Sequence, residues 1–267
     1  MKRFLVIAVL AAFAAAGLGC TTPNGTQSSQ ADAAERPWER ALVIVRAADA
    51  DLVKGGIRAL RPHAMNLEDV LADANRAFSA ASASTDPVYV LTNGPLALAA
   101  AQKSGGMPGA RVVAIQNPYP MASFFLGTYY NEIGRPQDAL RVLDAGIALP
   151  AAPMGSDSGQ VQQMLLGERG IALAALKRFD ESLASYDRAL AIRGLDNEQR
   201  GVLLRGRGFA LIELNRLDEA EQAYSDSLAI DPNNPRAQQE LTYIQRLRAG
   251  GPRAPVELFT RMPGMTP

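Results

Sequence analysis

The chain has 267 residues, and its 27 Lys and Arg balance its 27 Asp and Glu, so the formal net charge is zero. This balance gives neither a basic surface for nucleic acid nor an acidic tail for a basic partner. Hydrophobic residues make up 48% of the chain and aromatic residues only 6%, a composition that favours closely packed helices over a β-sandwich.

The chain begins with the pattern of a secretory signal. Lys2 and Arg3 precede an apolar run, residues 4–16, which is shorter than the ~20 apolar residues of a membrane-spanning helix. Small residues follow this run, as they do at a cleavage site. We therefore predict a signal peptide at 1–19 and export from the cytoplasm.

The only cysteine, Cys20, stands where the predicted signal ends, and a single cysteine excludes an intramolecular disulfide. The sequence "GLGC" resembles the lipobox of bacterial lipoproteins, which implies that Cys20 carries a lipid. Thr21, in place of an Asp, resembles sorting to the outer membrane, with the protein facing the periplasm. The polar segment 20–36 predicts a flexible tether. The alternative is ordinary cleavage near 14–16, which would leave a secreted or periplasmic protein without a lipid.

The segment 37–119 has mixed patterns and predicts a small α/β or α+β unit. Helices are predicted from Asn66, which caps an apolar stripe, and at 95–103, which a proline opens and two glycines close. Short apolar, β-branched runs between turn-forming residues predict three strands, at 41–46, 88–92 and 111–116.

The chain has few residues suited to catalysis. His63 is its only histidine and Cys20 its only cysteine, so a catalytic triad, a His-ligated zinc site or a thiolate cluster is hard to assemble. The sequence "GSDSG" at 155–159 resembles a nucleophile elbow only superficially, because Asp157 holds the central position. We predict no enzymatic activity, no cofactor and no metal.

From about residue 120 the sequence repeats itself. "RFDESLASYDRALAI" at 178–192 returns 38 residues later as "RLDEAEQAYSDSLAI", which places Tyr186 and Tyr224 in register. A third copy lies upstream, and the three units begin near residues 120, 163 and 201. Each unit has two amphipathic stripes with small residues where two helices would press together: Gly127, Ala139, Gly170, Ser182, Gly208 and Ala220. The pattern predicts helical hairpins stacked into a solenoid.

This pattern resembles the tetratricopeptide repeat, a helical hairpin of about 34 residues. The second unit has Gly194 where the family prefers proline, with four extra residues after it, and the first unit ends in an insert near 152–159. The third unit matches the preferred positions almost completely: Leu204, Gly208, Leu211, Ala220, Tyr224, Ser227 and Pro232. The resemblance implies three repeats and a capping helix within 120–249, followed by a tail at 250–267.

The resemblance also implies a binding face. In the family, the first helix of each hairpin lines a concave groove that holds a peptide or protein segment. Members that clamp a carboxylate have Lys and Asn where Phe124 and Thr128 stand, so that mode is not expected. The matching positions predict a partner-binding groove formed by Phe124, Thr128, Asn131, Ile171, Ala174, Arg205, Phe209 and Ile212. Met121, Met164, Gly167 and Val202 hold the remaining inward positions. The alternative is that the N-terminal segment or the tail buries several of them.

We therefore expect a non-catalytic adaptor or scaffold, held by lipid at the outer membrane, that binds a protein or peptide partner of the cell envelope. Phe124, Ile171 and Phe209 are the expected anchors for an apolar partner segment. Two alternatives stay open. The segment 37–119 could carry a hydrolytic or ligand-binding activity with the repeats as a docking arm, or the array could serve self-association.

Overall fold

The computed structural model describes residues 36–83, 88–92, 112–149 and 158–254. These residues form two long helices and a short parallel strand pair, followed by a stack of helical hairpins. The predicted fold class is confirmed: the protein is mainly α-helical, and a hairpin solenoid follows a small mixed segment. The predicted signal peptide, Cys20, the tether up to residue 35, the helix predicted at 95–103 and the tail from 255 lie outside the described residues.

The first helix, α1 (Pro37–Gly55), contains the run 41–46 that we predicted to be a strand, and that prediction is wrong. Val43, which is 69% exposed, lies on the face of the helix that points to solvent. The buried side chains of α1 recur every three or four residues, which is a helical spacing: Trp38, Ala41, Val45 and Ala48. Packing of this stripe outweighs the strand propensity of the β-branched residues.

A 3-10 turn (Ile57–His63) leads into α2 (Ala64–Ala83), which confirms the helix predicted from Asn66 but begins slightly before it. The Nε2 atom of His63 lies 2.9 Å from Oδ2 of Asp51 on α1. The single histidine therefore links the 3-10 turn to α1. The buried stripe of α2 comprises Leu67, Val70, Ala74, Ala77 and Ala81.

Two of the three predicted strands are confirmed. Strand β1 (Val88–Thr92) pairs in parallel with β2 (Val112–Gln116), and Val88 lies opposite Val112. A parallel pair needs a crossover connection, and the helix predicted within it, at 95–103, lies outside the described residues.

Seven further helices form the array, and consecutive helices pack against each other along the chain. They are α3 (Tyr119–Glu132), α4 (Pro136–Ala148), α5 (Ser158–Ala175), α6 (Phe179–Ala191), α7 (Asn197–Glu213), α8 (Leu217–Ile230) and α9 (Pro235–Arg248). We call the hairpins α3–α4, α5–α6 and α7–α8 units 1, 2 and 3. Helix α9 covers the last hairpin, as a solenoid requires.

All three hairpins close with the same turn. One residue in each turn has a left-handed backbone: Gly134 (φ 73), Lys177 (φ 60) and Asn215 (φ 61). The next amide donates to a carbonyl five residues earlier, at 2.8–2.9 Å, in the manner of a Schellman motif. The turn is therefore conserved in geometry among the units even though its central residue differs.

The two helices of each unit meet where a glycine faces a large side chain. A Cβ atom added to Gly170 would lie 2.6 Å from Cζ of Tyr186, and one added to Gly208 would lie 2.6 Å from Cε2 of Tyr224. In unit 1 the corresponding glycine, Gly127, packs against Leu143. Because these distances leave no room for a methyl group, the glycines set the close approach of the two helices.

Equivalent ion pairs join neighbouring units. Nε of Arg169 lies 2.6 Å from Oδ1 of Asp144, and Nε of Arg207 lies 2.7 Å from Oδ1 of Asp187. In each pair the arginine is on the first helix of one unit and the aspartate on the second helix of the unit before. Arg169 and Arg207, each directly before the glycine of its unit, therefore serve the stacking of hairpins.

The N-terminal segment and unit 1 share one hydrophobic core, which includes Trp38 and Leu67 on one side and Phe125 and Leu143 on the other. The carboxylate of Glu68 on α2 accepts hydrogen bonds from the hydroxyl of Tyr130 at 2.7 Å and the guanidinium of Arg141 at 2.6 Å. Helix α3 is buried on almost all sides as a result.

Helix α9 is capped by Asn234, whose Oδ1 accepts from the amide of Ala237 at 3.1 Å. Its inward residues are Leu241, Ile244 and Leu247. The carboxylates of Asp218 and Glu221 on α8 both pair with Arg248 of α9 at 2.5 Å. These two acids therefore fasten the capping helix to unit 3.

Candidate functional site

The residues predicted to line a partner groove are mostly buried. Arg205 is the one half-buried member of the set. The other seven are at most 9% exposed: Phe124, Thr128, Asn131, Ile171, Ala174, Phe209 and Ile212. In unit 1, α3 packs against α2 and the 3-10 turn, which is the alternative that the sequence left open, and against α5, where Asn131 bonds to Glu168. A role of these residues in partner binding stays a prediction.

The far end of the predicted groove is also covered. Phe209 packs edge-to-face against Phe179, with 6.5 Å between ring centroids, beside Ala174. The carbonyl of Ile212 accepts from the guanidinium of Arg253 at 3.2 Å, because the chain after α9 returns to the end of α7. Phe209 and Ile212 thus belong to the core of units 2 and 3.

Arg205, the predicted cation of the groove, is directed towards unit 3. Its guanidinium donates to Oγ of Ser227 on α8 at 3.1 Å. Burial lowers the pKa of this arginine, and the nearby charge of Asp231 raises it.

A cleft lies between α5 and α7, on the face predicted to bind a partner. Its cavity volume is about 30 Å³, room for one or two water molecules. Ile171 of the predicted set lines it, together with Met164, Gly167 and Val202 at the same repeat positions. The other lining residues are Gln163, Glu168, Tyr186, Leu195, Gln199 and Leu203. These four residues hold inward positions of the repeat, and their role in partner binding stays a prediction.

The unusual length of unit 2 shapes this cleft. The linker between α6 and α7 turns at Gly194 (φ 86), and Leu195 forms part of the wall. Asp196 then caps α7, its Oδ1 accepting from the amide of Gln199 at 2.7 Å. Gly167 provides no side chain on the opposite side, where an added Cβ would lie 3.1 Å from Cδ2 of Leu203. Gly167 therefore lets Leu203 of α7 approach α5 closely, and the extra linker residues bring Leu195 into the wall of the cleft.

Glu168 is a buried acid in the lining of the cleft, with only 3% of its surface exposed. Nδ2 of Asn131 on α3 donates to Oε2 of Glu168 at 2.8 Å and to its backbone carbonyl at 3.0 Å. Burial raises the pKa of Glu168 to about 7, and the hydrogen bond from Asn131 opposes that rise. Near neutral pH this carboxyl is therefore only partly ionised.

Tyr186 forms the other polar part of the lining. Its ring lies between Gly170 of its own unit and Gly206 of unit 3, since an added Cβ on either would approach Cζ to 2.6 or 2.5 Å. Its hydroxyl is fully buried and has no hydrogen-bond partner among the described residues. Burial raises the pKa of this phenol, and so does the charge of Glu168. The hydroxyl is therefore enclosed by the packing of units 2 and 3 and is not presented to the cleft.

Sequence reasoning missed Glu168, although a signal was present. Its neighbours three and four positions away on the helix are Met164, Leu165, Ile171 and Ala172, and all four are buried and apolar. An acid at the centre of such a stripe must be buried too, and a buried acid needs partners. The periodicity that located the core therefore also indicated this site.

Other classes of site find less support. Among residues 36–83, 88–92, 112–149 and 158–254, no group of three or more His, Cys, Asp or Glu side chains is arranged to hold a metal ion. None of the helices described in those ranges is long and apolar enough to cross a membrane.

Comparison with known proteins identifies the repeats. Residues 161–233, which include units 2 and 3, match the family model described as Tetratricopeptide repeat. No curated protein matches the chain. Similar solved structures include the NMR structure of the first TPR domain of the human RPAP3 protein, with 23% identity and a TM-score of 0.42. Another is the first TPR of Spaghetti (RPAP3) bound to HSP90 peptide SRMEEVD, with 24% identity and a TM-score of 0.41. Each likeness covers 49% of this chain and 94% of the other, and at these scores neither carries an argument about function.

Proposed function

We propose that this tetratricopeptide-repeat protein is a non-catalytic adaptor that binds a segment of a partner protein at the cleft between α5 and α7. The observation that supports the proposal is the cleft itself. It opens on the face where the family binds its partners, and its walls are almost entirely apolar. Binding sites commonly have this composition of apolar surface with few polar groups.

The expected cellular setting is the bacterial envelope, with Cys20 lipidated and the array facing the periplasm. The support comes from the "GLGC" sequence, the single cysteine and the polar segment after it. A lipid on Cys20 would hold the array near the outer membrane, where assemblies of the envelope need adaptors.

Site-specific photo-crosslinking tests the adaptor role. A photoreactive phenylalanine at Gln199, which lines the cleft, is compared with one at Val43, which is 69% exposed on α1. We expect one partner protein to be captured from position 199 and not from position 43, and a synthetic peptide of the captured segment to compete. Equal capture at both positions, or none from position 199, would contradict the proposal. Capture of a second copy of this chain would instead support self-association.

Metabolic labelling with a fatty-acid analogue tests the setting. We expect wild-type protein to incorporate the label and Cys20→Ser to lose it and to leave the membrane fraction. If the wild type is unlabelled and soluble in the periplasm, cleavage occurs near 14–16 and the anchor is absent.

A further inference from the structure

The chain turns back towards the array directly after α9. Gly250 has a left-handed backbone (φ 81), and its amide donates to the carbonyl of Leu247 at 3.0 Å. The amide of Gly251 donates to the carbonyl of Arg246 at 2.9 Å, which completes a Schellman motif. This motif ends α9, and the residues that follow it return to the helices instead of leading away from them.

The last described residues are fastened to the inward side of unit 3 and α9. The guanidinium of Arg253 donates to the carbonyl of Ile212, which holds an inward position of the repeat. The amide of Ala254 donates to the hydroxyl of Tyr243 at 2.9 Å, and its side chain packs against the hydrophobic cluster that joins unit 3 to α9. Tyr243 stands 34 residues after Phe209 and so has the same inward position. The chain therefore enters the predicted groove at this end.

The thirteen residues that follow, 255–267, have the composition of a ligand for an apolar groove. Their sequence, "PVELFTRMPGMTP", has large apolar side chains at Val256, Leu258 and Phe259 and only one acid and one base. Its three prolines favour an extended backbone over a helix. An extended segment with apolar side chains is one of the forms in which proteins recognise peptides.

The tail is long enough to reach the cleft between α5 and α7. Ile212 and Val202 are ten residues apart on α7, which is about 15 Å along the helix axis. An extended chain advances about 3.3 Å per residue, so the five residues after Ala254 cover about 16 Å. A path antiparallel to α7 therefore brings Phe259 level with Val202, which lines the cleft.

The walls of the cleft suit an apolar side chain at this level. Met164 and Ile171 on α5 face Val202 on α7 across it. The cavity has room for only one or two water molecules, so an aromatic ring would lie across its mouth and contact these walls without entering. Such a contact needs no polar partner inside the cleft.

We propose that residues 255–267 lie along the concave face of units 2 and 3, with Phe259 over the mouth of the cleft, and that a partner segment displaces them when it binds. The inference rests on the adaptor role proposed above and adds its regulation. Because the tail is part of the same chain, its effective concentration at the groove is in the millimolar range. A tail that is docked in about nine molecules of ten lowers the apparent affinity for a partner about tenfold.

Photo-crosslinking in the isolated protein tests the docking. A photoreactive phenylalanine replaces Gln199, which lines the cleft, and the irradiated protein is digested with trypsin. Cleavage after arginine releases position 199 in the peptide 194–200 and Phe259 in the peptide 254–261. We expect these two peptides to be joined, and a mixture of isotope-labelled and unlabelled protein to show that both come from one chain. The same photoreactive residue at Val43, exposed on α1, should give no such product.

Phe259→Ala is the decisive variant, because it removes the ring and leaves the length and charge of the tail unchanged. We expect it to lower the yield of the joined peptides about tenfold, as the loss of one partly buried aromatic side chain predicts. Met265→Ala, which changes an apolar residue further along the tail, is the matched control and should leave the yield unchanged. Circular dichroism should show the same helix content in both variants and the wild type.

A labelled synthetic peptide of residues 254–267 tests the competition. In the wild type the protein's own tail competes with this peptide, so the peptide should bind Phe259→Ala protein about tenfold more tightly than wild-type protein. The same peptide with Phe259→Ala should bind neither protein. Fluorescence anisotropy measures both affinities.

Three results would overturn the inference: no joined peptides from the isolated protein, joined peptides that come from two chains, or equal peptide binding by wild type and Phe259→Ala. The adaptor role is separable from these outcomes. If position 199 captures a partner protein but never the tail, the adaptor stands and the docking fails. If position 199 captures the tail and no partner, the docking stands and the adaptor role fails.

Discussion

The two interfaces between neighbouring units differ, although the same repeat forms both. Between units 1 and 2, α3 and α5 lie close together, and Asn131 reaches across to the carboxyl and the backbone of Glu168. Between units 2 and 3, α5 and α7 have far fewer contacts, and the cleft opens there. The repeat sequence therefore determines the stacking of hairpins but not how tightly their first helices meet.

Two pairs of positions account for the difference. The sixth position of unit 2 is Glu168, and the corresponding position of unit 3 is Gly206. The large residue that packs on the glycine of each unit is Leu143 in unit 1 and Tyr186 in unit 2. At the interface of units 2 and 3, the large side chain of Tyr186 packs against Gly206. At the interface of units 1 and 2, the smaller Leu143 holds the position of Tyr186 and the larger Glu168 holds the position of Gly206, so the large residue is on the other helix.

Truncation of Tyr186 should give the largest loss of stability among substitutions at these two interfaces. Tyr186→Ala removes the side chain that fills the space between Gly170 and Gly206, so we expect a loss of about 3–5 kcal/mol in the free energy of unfolding. Urea denaturation followed by circular dichroism measures it. Tyr186→Phe is the matched control. It deletes a buried hydroxyl without a described partner, so it should lie within about 1 kcal/mol of the wild type. A loss below about 1 kcal/mol for the alanine variant would contradict the assigned register.

The charge of Glu168 should make the first interface sensitive to pH. Burial raises the folded-state pKa to about 7 from an ordinary 4.5, so the folded protein holds the proton more tightly than the unfolded chain. The contribution of this group to stability is therefore complete below pH 4.5 and is lost as pH rises through about 7. Glu168→Gln stays neutral and escapes this loss. We expect it to match the wild type near pH 4.5 and to be more stable above pH 7 by about 3 kcal/mol.

The measurement is the difference between the unfolding free energies of the two proteins across this pH range, because the other titrating groups cancel in the difference. A constant difference would mean that Glu168 ionises in the folded state as it does in the unfolded chain. A variant less stable than the wild type at high pH would mean that a positive charge compensates the carboxylate.

The periodic part of the fold was predictable from sequence because each unit repeats its small and large residues in the same register. Gly170 with Tyr186 and Gly208 with Tyr224 are local pairs, and their spacing alone indicates two touching helices. The run 41–46 was not predictable in this way, because nothing within it reveals that α2 and α3 cover only one of its faces. The cleft depends on the linker that turns at Gly194, whose extra residues no repeat position encodes.

Glycine replacements in α7 probe the second interface more gently. Gly206→Ala places a methyl group 2.5 Å from Cζ of Tyr186, so we expect a loss of roughly 1–3 kcal/mol from overpacking. Gly201→Ala, in the same helix, meets nothing closer than the guanidinium of Arg205 at 3.3 Å, and it should gain up to about 1 kcal/mol from helix propensity. Thermal unfolding of both variants tests the contrast. Similar effects at the two sites would contradict the tight packing of Tyr186 on Gly206.

Removal of the ion pairs between units should change stability least, and their coupling energies serve as a reference for comparing the two interfaces. Arg169 with Asp144 and Arg207 with Asp187 hold equivalent places at the two interfaces, and in both pairs the carboxylate is about half exposed. Double-mutant cycles with alanine should therefore give similar coupling energies, each below about 1 kcal/mol and weaker in high salt. Equal couplings would mean that the outer edges of the two interfaces match, so that the cleft arises from Glu168, Tyr186 and the linker alone. A much weaker coupling for Arg207 would mean instead that units 2 and 3 separate along their whole length.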